Sequence, residues 1–425
     1  MALPDLIEIE PIAGPLHAAV TVPGSKSITN RALILAALAQ GETVLRGALW
    51  SEDTQIMVEC LQQLGFTVRV ELDPAESGNR TITVQGAGGT IPNGGTREHP
   101  VELFVGNAGT AARFLSPLVC LGRGFYRLSG IPRMHERPQG ALLEALQQLG
   151  YAVEPAPGGK LPALIEGRGP VSGRCKVSIR ESSQFASGLL LCAEPGGWQV
   201  EVADENAEES SYVEMTRQLV KVFPSRGGVF QIEPDASGGS YFWAAAQLVN
   251  GHSLETVVNA WPESGWQIDA RFPEFLRLWP KEISRTRDLG DSIMTAIVMA
   301  PFQQRTTVFS DLGRLRAQEC ERVAALRTEL TRCGAKVTEQ GDSLWIKPSP
   351  LHGAEIDTYN DHRMAMCFAV IGLKVPGIRL RQPNCVKKTF PTFFQKLVAP
   401  PPAGLGTRIL DASGRALESK DLLAE

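Results

Sequence analysis

The chain has little net charge, no closely spaced pair of cysteines and no long apolar run, and each absence excludes a class of function. Forty-two lysines and arginines face 46 aspartates and glutamates, leaving a formal charge of −4 over 425 residues. So weak a field recruits neither nucleic acid nor an anionic membrane surface, and an anionic ligand would have to be met by cations gathered locally. The eight cysteines, at 60, 120, 175, 192, 320, 333, 367 and 385, form no Cys-x-x-Cys pair, and several sit inside apolar runs. That pattern reads as buried free thiols in a reducing compartment. No apolar run approaches the roughly 18 residues of a membrane helix. The acidic start, Met1-Ala2-Leu3-Pro4-Asp5-Leu6-Ile7-Glu8, lacks the basic flank of a signal peptide. The expectation is a cytoplasmic protein with no membrane and no nucleic-acid partner.

What is present is core-forming material: hydrophobic residues make up 43% of the chain, and the length suggests about two to three domains. Six loose repeats run through it. Each opens on small or polar residues, enters an apolar helix, breaks, and continues as a β-branched strand. The helices begin near Ser27-Ile28-Thr29-Asn30-Arg31, Asn107-Ala108-Gly109-Thr110, Ser182-Ser183-Gln184, Asp235-Ala236-Ser237-Gly238, Asp291-Ser292 and Asn360-Asp361-His362-Arg363. A second, more amphipathic helix follows in several copies, at 53–64, 138–149, 212–222 and 319–333. Three of these end in Leu64-Gly65, Leu149-Gly150 and Cys333-Gly334, a helix C-cap signal.

The unit is therefore β-α-β-α-β-β. Six copies cannot share one core, so the expected fold is two α/β domains of three units each: 22–232, and 1–21 together with 233–425. The strand near 6–12 is expected to join the sheet of the C-terminal half. The first helix of each unit is apolar on nearly all sides and should be buried. Parallel buried helices would gather their N-termini at one end of each domain, with unpaired N–H groups and a positive dipole end that suit an anion. Ser, Asp and Asn there are ordinary caps. Lys26, Arg31 and Arg363 are not, because a cation at a helix N-terminus opposes the dipole. Cations so placed suggest anions bound among them, in a cleft between the domains.

The motifs then become specific. They are Pro23-Gly24-Ser25-Lys26-Ser27 with Asn30-Arg31-Ala32, and Gly106-Asn107-Ala108-Gly109-Thr110-Ala111-Ala112-Arg113. Next come Pro132-Arg133-Met134-His135-Glu136-Arg137-Pro138, Ser182-Ser183-Gln184-Phe185 and Asp235-Ala236-Ser237. The C-terminal half adds Asp291 before Met294-Thr295, Asn360-Asp361-His362-Arg363-Met364-Ala365-Met366, and Lys388-Thr389-Phe390-Pro391. In this order they resemble the enolpyruvyl transferase family over nearly the whole chain. The 5-enolpyruvylshikimate-3-phosphate synthases fit better than the UDP-N-acetylglucosamine enolpyruvyl transferases. The resemblance implies two inverse α/β domains, each of three β-α-β-α-β-β units with buried parallel helices. It also implies transfer of the enolpyruvyl group of phosphoenolpyruvate to an acceptor hydroxyl, with release of phosphate and no metal or other cofactor. Small-molecule substrates and a monomer are the family expectation.

Site residues follow from the same resemblance. Lys26, Arg133, Gln184 and Lys388 would hold the phosphate of phosphoenolpyruvate, Arg322 and Arg363 its carboxylate, with Gly109 and His362 in the same pocket. Asp291 and Glu319 would be the two carboxylates that move protons, with Lys26 a further candidate. Ser27, Arg31, Ser182, Ser183, Gln184, Tyr212, Asp291, Arg314 and Gln318 would face the acceptor. Each has a structural alternative. Glu319 and Arg322, three apart, could pair along a helix, Asp291 could cap its helix, and Lys388 could be a surface lysine.

Donor recognition looks intact, whereas acceptor recognition departs from the shikimate enzymes. Gln318 stands where they carry a lysine and Arg314 where they carry an asparagine. Glu209, in the acidic run Glu205-Asn206-Ala207-Glu208-Glu209, stands where a serine binds the acceptor phosphate. A shikimate-type synthase in which Arg314 or Arg316 replaces the lysine is the first reading. An enolpyruvyl transferase for another hydroxyl acceptor is the second, and a non-catalytic binding homologue the third.

Overall fold

The computed structural model describes residues 3–204, 207–251 and 257–424, with only the backbone of 207–210 and 257. It divides into a middle unit, Gly24–Glu233, and a terminal unit built from the segments before and after it.

In the middle unit three helices have almost no exposed side, Lys26–Leu38, Gly109–Cys120 and Ser183–Gly196. Every residue of Gly109–Cys120 is buried, including the polar Thr110, Arg113 and Ser116. The helices meet through their first turns: Asn30 Nδ2 donates to Thr110 Oγ1 at 3.0 Å, Arg113 Nη1 to Gln184 Oε1 at 3.2 Å, and Arg31 Nη2 to Ser187 Oγ at 3.0 Å. Gly188 permits the closest approach, since a Cβ there would lie 2.3 Å from the carbonyl oxygen of Arg113. The polar first turns are thus brought together at one end of the helix cluster.

Sheets cover the cluster. One runs Gly228–Gln231, Glu42–Leu49, Asn79–Gln85, Val68–Leu72, its first pair parallel and the rest antiparallel. A second repeats the pattern with Val101–Phe104, Arg123–Ser129, Lys160–Arg168, Ala152–Ala156. Along Lys160–Arg168 the alternate residues Leu161, Ala163 and Ile165 are buried, the period of a strand with one face on a core. The third sheet has two parallel strands, Gly173–Ser178 and Trp198–Ala203.

The third repeat of the middle unit is shorter than the other two among the described residues. After the amphipathic helix Ala207–Val222 the third repeat supplies one strand, Gly228–Gln231, which pairs with the open parallel edge of Glu42–Leu49 and closes the unit. The amphipathic helices Glu52–Gln63, Gly140–Gln148 and Arg322–Arg332 end where the Leu-Gly and Cys-Gly pairs predicted. Gly65, Gly150 and Gly334 all take the left-handed φ that glycine adopts without steric cost.

The terminal unit repeats the architecture around Ala236–Asn250, Ile293–Met299 and His362–Gly372. One sheet runs Glu282–Ser284, Thr307–Ser310, Ser343–Lys347, Lys336–Gln340. In another, the N-terminal strand Leu6–Ile9 pairs antiparallel with both Ile378–Arg381 and Ile409–Asp411, while Glu355–Asp357 lies parallel at the edge. A short parallel pair, Ala19–Val20 and Val257–Val258, is the third. No helix among the described residues is long and apolar enough to cross a membrane, and all eight cysteines are free thiols, seven of them buried.

Candidate active site

The candidate residues fall into two sets, one in each unit. In the middle unit, Lys26 opens its helix and pairs with Asp53 at 3.0 Å. That carboxylate offsets the dipole a lone lysine would oppose. Arg31, one turn on, is 1% exposed. Its guanidinium donates to Thr216 Oγ1 at 2.7 Å, Ser27 O at 2.9 Å, Ser187 Oγ at 3.0 Å and Tyr212 O at 3.5 Å, and lies over the Phe114 ring. Burial pulls it down to about 10 against the nearby Tyr212, so it remains a cation at neutral pH. Arg31 therefore braces the wall that carries Ser27 and Tyr212, with four of its five donors already engaged. Ser182 and Ser183 are buried at the start of Ser183–Gly196, and Ser182 Oγ accepts from Gln184 N at 3.3 Å.

Gly109 lies against two guanidiniums. A Cβ on it would come within 2.5 Å of Arg113 Nη1 and 2.8 Å of Arg137 Nη2, so any side chain would displace both. Arg137 also donates to Asn107 O at 3.1 Å. Arg133, singled out from the sequence, is exposed and pairs with Glu136 at 2.7 Å on the short helix Pro132–Glu136. The structure thus brings Arg137, not Arg133, to Gly109. Arg133 lies within the short helix, whereas Arg137 is its extended C-cap residue. The Pro138 that follows Arg137 was the available signal, because it ends the helix and fixes where the arginine emerges. The side chain of Glu209 lies outside the described residues.

In the terminal unit the candidates form one connected network. Arg322 is 1% exposed. Its Nε and Nη2 reach the two oxygens of Asp361 at 2.6 and 3.2 Å, Nη2 also reaches Glu319 Oε2 at 2.8 Å, and Nη1 donates to Gln318 Oε1. Glu319 is shared: its other oxygen meets Lys388 Nζ at 3.0 Å. Asp361 caps the helix His362–Gly372 by accepting from Arg363 N at 2.8 Å, and the buried His362 ring lies beside it. Arg363 reaches Asp291 at 3.0 Å and the Tyr241 hydroxyl at 3.4 Å, and Arg285 approaches Asp291 at 3.4 Å. Burial would raise the Asp291 carboxyl, but Arg363, Arg285 and Arg322 together hold it well below the usual carboxylate range. Arg322 itself is raised: its desolvation is outweighed by Asp361, Glu319 and Asp291.

The structure bears on each of the three structural alternatives. Ser292, not Asp291, is the N-cap residue of Ile293–Met299, and the Asp291 carboxylate is turned onto arginines. Lys388 ends a 3-10 turn with its side chain 14% exposed, so it is no ordinary surface lysine. The helix expected from Glu319 starts at Arg322, after a 3-10 turn at Gly313–Ala317. Glu321 caps it, accepting from Ala324 N at 2.6 Å, which leaves Gln318 and Glu319 outside the helix with their side chains drawn onto Arg322. Arg316 holds Asp342, Glu321 and Glu339 at 2.8–2.9 Å. Three carboxylates thus already balance the Arg316 guanidinium. Arg314 remains half-buried in the same 3-10 turn.

The sequence matches the family described as EPSP synthase (3-phosphoshikimate 1-carboxyvinyltransferase) over residues 11–226 and 274–397. The chain belongs to the EPSP synthase family. The 3-phosphoshikimate 1-carboxyvinyltransferase of a Nostoc species is 38% identical over 430 aligned positions, spanning 92% of this chain and 98% of that one. The enzyme of the same name from Opitutus terrae is 37% identical, over 93% and 98%. Among solved structures, EPSP synthase from Acinetobacter baumannii superposes with a TM-score of 0.72 at 20% identity, covering 96% of this chain and all of that one. The enolpyruvyl transferase NikO from Streptomyces tendae superposes at 0.64 and 16% identity, over 96% and 99%. The structural likeness establishes the two-domain enolpyruvyl transferase fold, and the sequence likeness establishes the family.

Proposed function

We propose that the chain transfers the enolpyruvyl group of phosphoenolpyruvate to the 5-hydroxyl of shikimate 3-phosphate and releases phosphate, as a 3-phosphoshikimate 1-carboxyvinyltransferase. One observation carries the reading beyond family membership. Arg322, Arg363 and Lys388 are joined to Glu319, Asp291 and Asp361 in a single network. It supplies planar forks for a carboxylate, a point charge for a phosphate oxygen and two carboxylates for proton transfer.

In this reading Arg322 and Arg363 hold the carboxylate of phosphoenolpyruvate. Lys388 in the terminal unit and Lys26, Arg137 and Gln184 in the middle unit are the candidates for its phosphate. Ser27, Ser182, Ser183 and Tyr212 face the acceptor, with Arg31 setting their wall. The acceptor oxygen adds to C2 while C3 gains a proton, giving a tetrahedral ketal. Loss of phosphate with a proton from the new methyl group restores the double bond. Asp291, held as an anion by its arginines, takes the proton of the attacking hydroxyl as the C–O bond forms, and that proton leaves with the released phosphate. Glu319 and Lys388, 3.0 Å apart, share the proton that C3 gains and returns.

The test is phosphate release from phosphoenolpyruvate with shikimate 3-phosphate, together with detection of the enolpyruvyl ether. Turnover is expected. Phosphoenolpyruvate binding without turnover would transfer the reading to another hydroxyl acceptor. That outcome is the one the Gln318 carboxamide, turned onto Arg322, most directly anticipates. Absence of phosphoenolpyruvate binding would overturn both.

A further inference from the structure

Asp291, unlike Lys26 at the start of its helix, lies outside regular secondary structure. It lies in turns between the strand Glu282–Ser284 and the short helix Ile293–Met299, yet its carboxylate must stay seated between Arg363 and Arg285. The peptide N–H groups on either side of it, Gly290 N at 2.7 Å and Ser292 N at 3.1 Å, both donate to one oxygen of Asp269. The Ser292 hydroxyl donates to that same oxygen at 2.5 Å. The other oxygen of Asp269 accepts from Ser237 Oγ, in the first turn of Ala236–Asn250. Next to it, Gln267 accepts from Ala236 N at 3.0 Å and donates to Pro234 O at 2.9 Å, fixing the Asp269 backbone to the same helix start. Asp269 is 4% exposed.

Four donors converge on this one buried carboxylate. Only an anion accepts all four; an amide or a protonated acid would turn a donor of its own toward one of them. The fit is close, since a Cβ on Gly290 would lie 3.3 Å from both Asp269 oxygens and 3.0 Å from Ile268 Cγ2.

We propose that Asp269 is a positioning residue for Asp291, clamping the backbone on both sides of it so that the carboxylate stays between Arg363 and Arg285. The proposal deepens the enolpyruvyl-transfer reading and rests on it. The groups facing Asp291 are Arg363, Arg285 and Arg322, which stabilise its charge, and Glu319, which opposes it. The sign of the change in Asp269→Asn therefore separates two explanations. If Asp269 acted only as a distant charge, removing that anion would push the Asp291 carboxyl lower still. If it acts by position, the arginines drift away while burial persists, and the carboxyl rises.

The readout is the carboxyl-carbon NMR titration of Asp291 in full-length protein with 13C-labelled aspartate, assigned by its loss in Asp291→Asn. In the wild type it should stay ionised to the lowest pH at which the chain is folded. In Asp269→Asn the midpoint should rise by about one unit or more, since burial alone raises a carboxyl. Asp288→Asn is the control, because Asp288 accepts from Ser284 N at 2.8 Å in the same segment and should leave the midpoint unmoved. In turnover, kcat should fall about tenfold or more with little change in the KM for phosphoenolpyruvate, the pattern of a displaced catalytic group. Ser292→Ala keeps the Asp269 charge and should give a smaller rise with the same sign.

A fall or no change in the Asp291 midpoint in both variants would overturn the proposal. If Asp269→Asn does not fold, Ser292→Ala decides by the same criterion. The titration needs no turnover, so an inactive wild type would count against the enzymatic reading and leave this test standing.

Discussion

Arg31 and Arg322 are the two arginines with essentially no exposed surface, one in each unit, and they are satisfied in opposite ways. Arg31 donates to two hydroxyls and two carbonyl oxygens, and burial pulls it down to about 10. Arg322 donates to two carboxylates and an amide, and those carboxylates push it up despite equal burial. A buried cation among neutral acceptors leaves an uncancelled positive potential in its surroundings, which favours an anionic ligand nearby. A buried cation between carboxylates leaves little net field but fixes those carboxylates as anions in set positions. Arg31 thus leaves positive charge in its surroundings, while Arg322 is balanced by the carboxylates it holds in place.

The comparison breaks most sharply at Arg322. Arg322→Met would leave Asp361, which is fully buried, without its cation, and removing one partner of such a pair typically costs about 3–5 kcal/mol. Urea unfolding should show that loss, and phosphoenolpyruvate binding should fall below detection. Arg31→Met leaves only neutral groups unpaired, for about 1–3 kcal/mol, and its kinetic effect should fall on the KM for the acceptor. A loss at Arg31 equal to that at Arg322 would contradict the contrast. Proton linkage adds a second mark on the terminal unit. The folded-state carboxyl of Asp291 is held below its ordinary 3.8, so its contribution to stability is present above pH ~4 and fades as pH falls below that. The stability gap between wild type and Asp291→Asn should therefore narrow on acidification below pH 4, and a constant gap would refute the assignment.

Arginine placement sharpens the middle-unit half of the contrast. Arg137→Ala should raise the KM for phosphoenolpyruvate about tenfold, because its guanidinium lies at the Gly109 surface and charge-assisted bonds are worth about 1.5–3 kcal/mol. Arg133→Ala should stay within about twofold, since an exposed pair such as Arg133–Glu136 contributes about 0–1 kcal/mol. Reversed effects would return the site to Arg133.

Those two residues also mark how far the sequence could be read. Periodicity and helix-end chemistry were enough for the repeat, the burial of six helices and the glycine C-caps, because each depends on neighbours within a few positions. The connected cluster at Arg322 was legible through its motif order. Arg137 and Asp269 were not, for different reasons. Arg137 sits four residues from Arg133 in a motif rich in charge, and nothing in that spacing tells which of the two reaches Gly109. Asp269 lies in the single-turn 3-10 helix Ile268–Arg271, too short to carry a periodic pattern, and its partners Ser237, Gly290 and Ser292 are 21 to 32 positions away. Arg316, read as a spare cation, turned out to be held by Asp342 and Glu339 across a turn whose pairing the sequence does not display.

The smallest expected effect is at Gln318, where the balanced terminal network meets the acceptor question. Its carboxamide oxygen accepts from Arg322 Nη1, so the side chain is held by the donor clamp. A lysine at that position cannot accept and would be repelled by Arg322, but it is long enough to turn its ammonium aside while keeping its stem in place. Gln318→Lys should therefore leave the KM for phosphoenolpyruvate within about threefold, since one neutral hydrogen bond contributes about 0.5–1.5 kcal/mol. If shikimate 3-phosphate is the acceptor, the added cation should raise kcat/KM for it by a few-fold, and the gain should shrink with added salt as expected for a charge effect. A drop in turnover with an unchanged donor KM would show that the amide itself serves the acceptor, and that the terminal unit reads its hydroxyls without the extra charge.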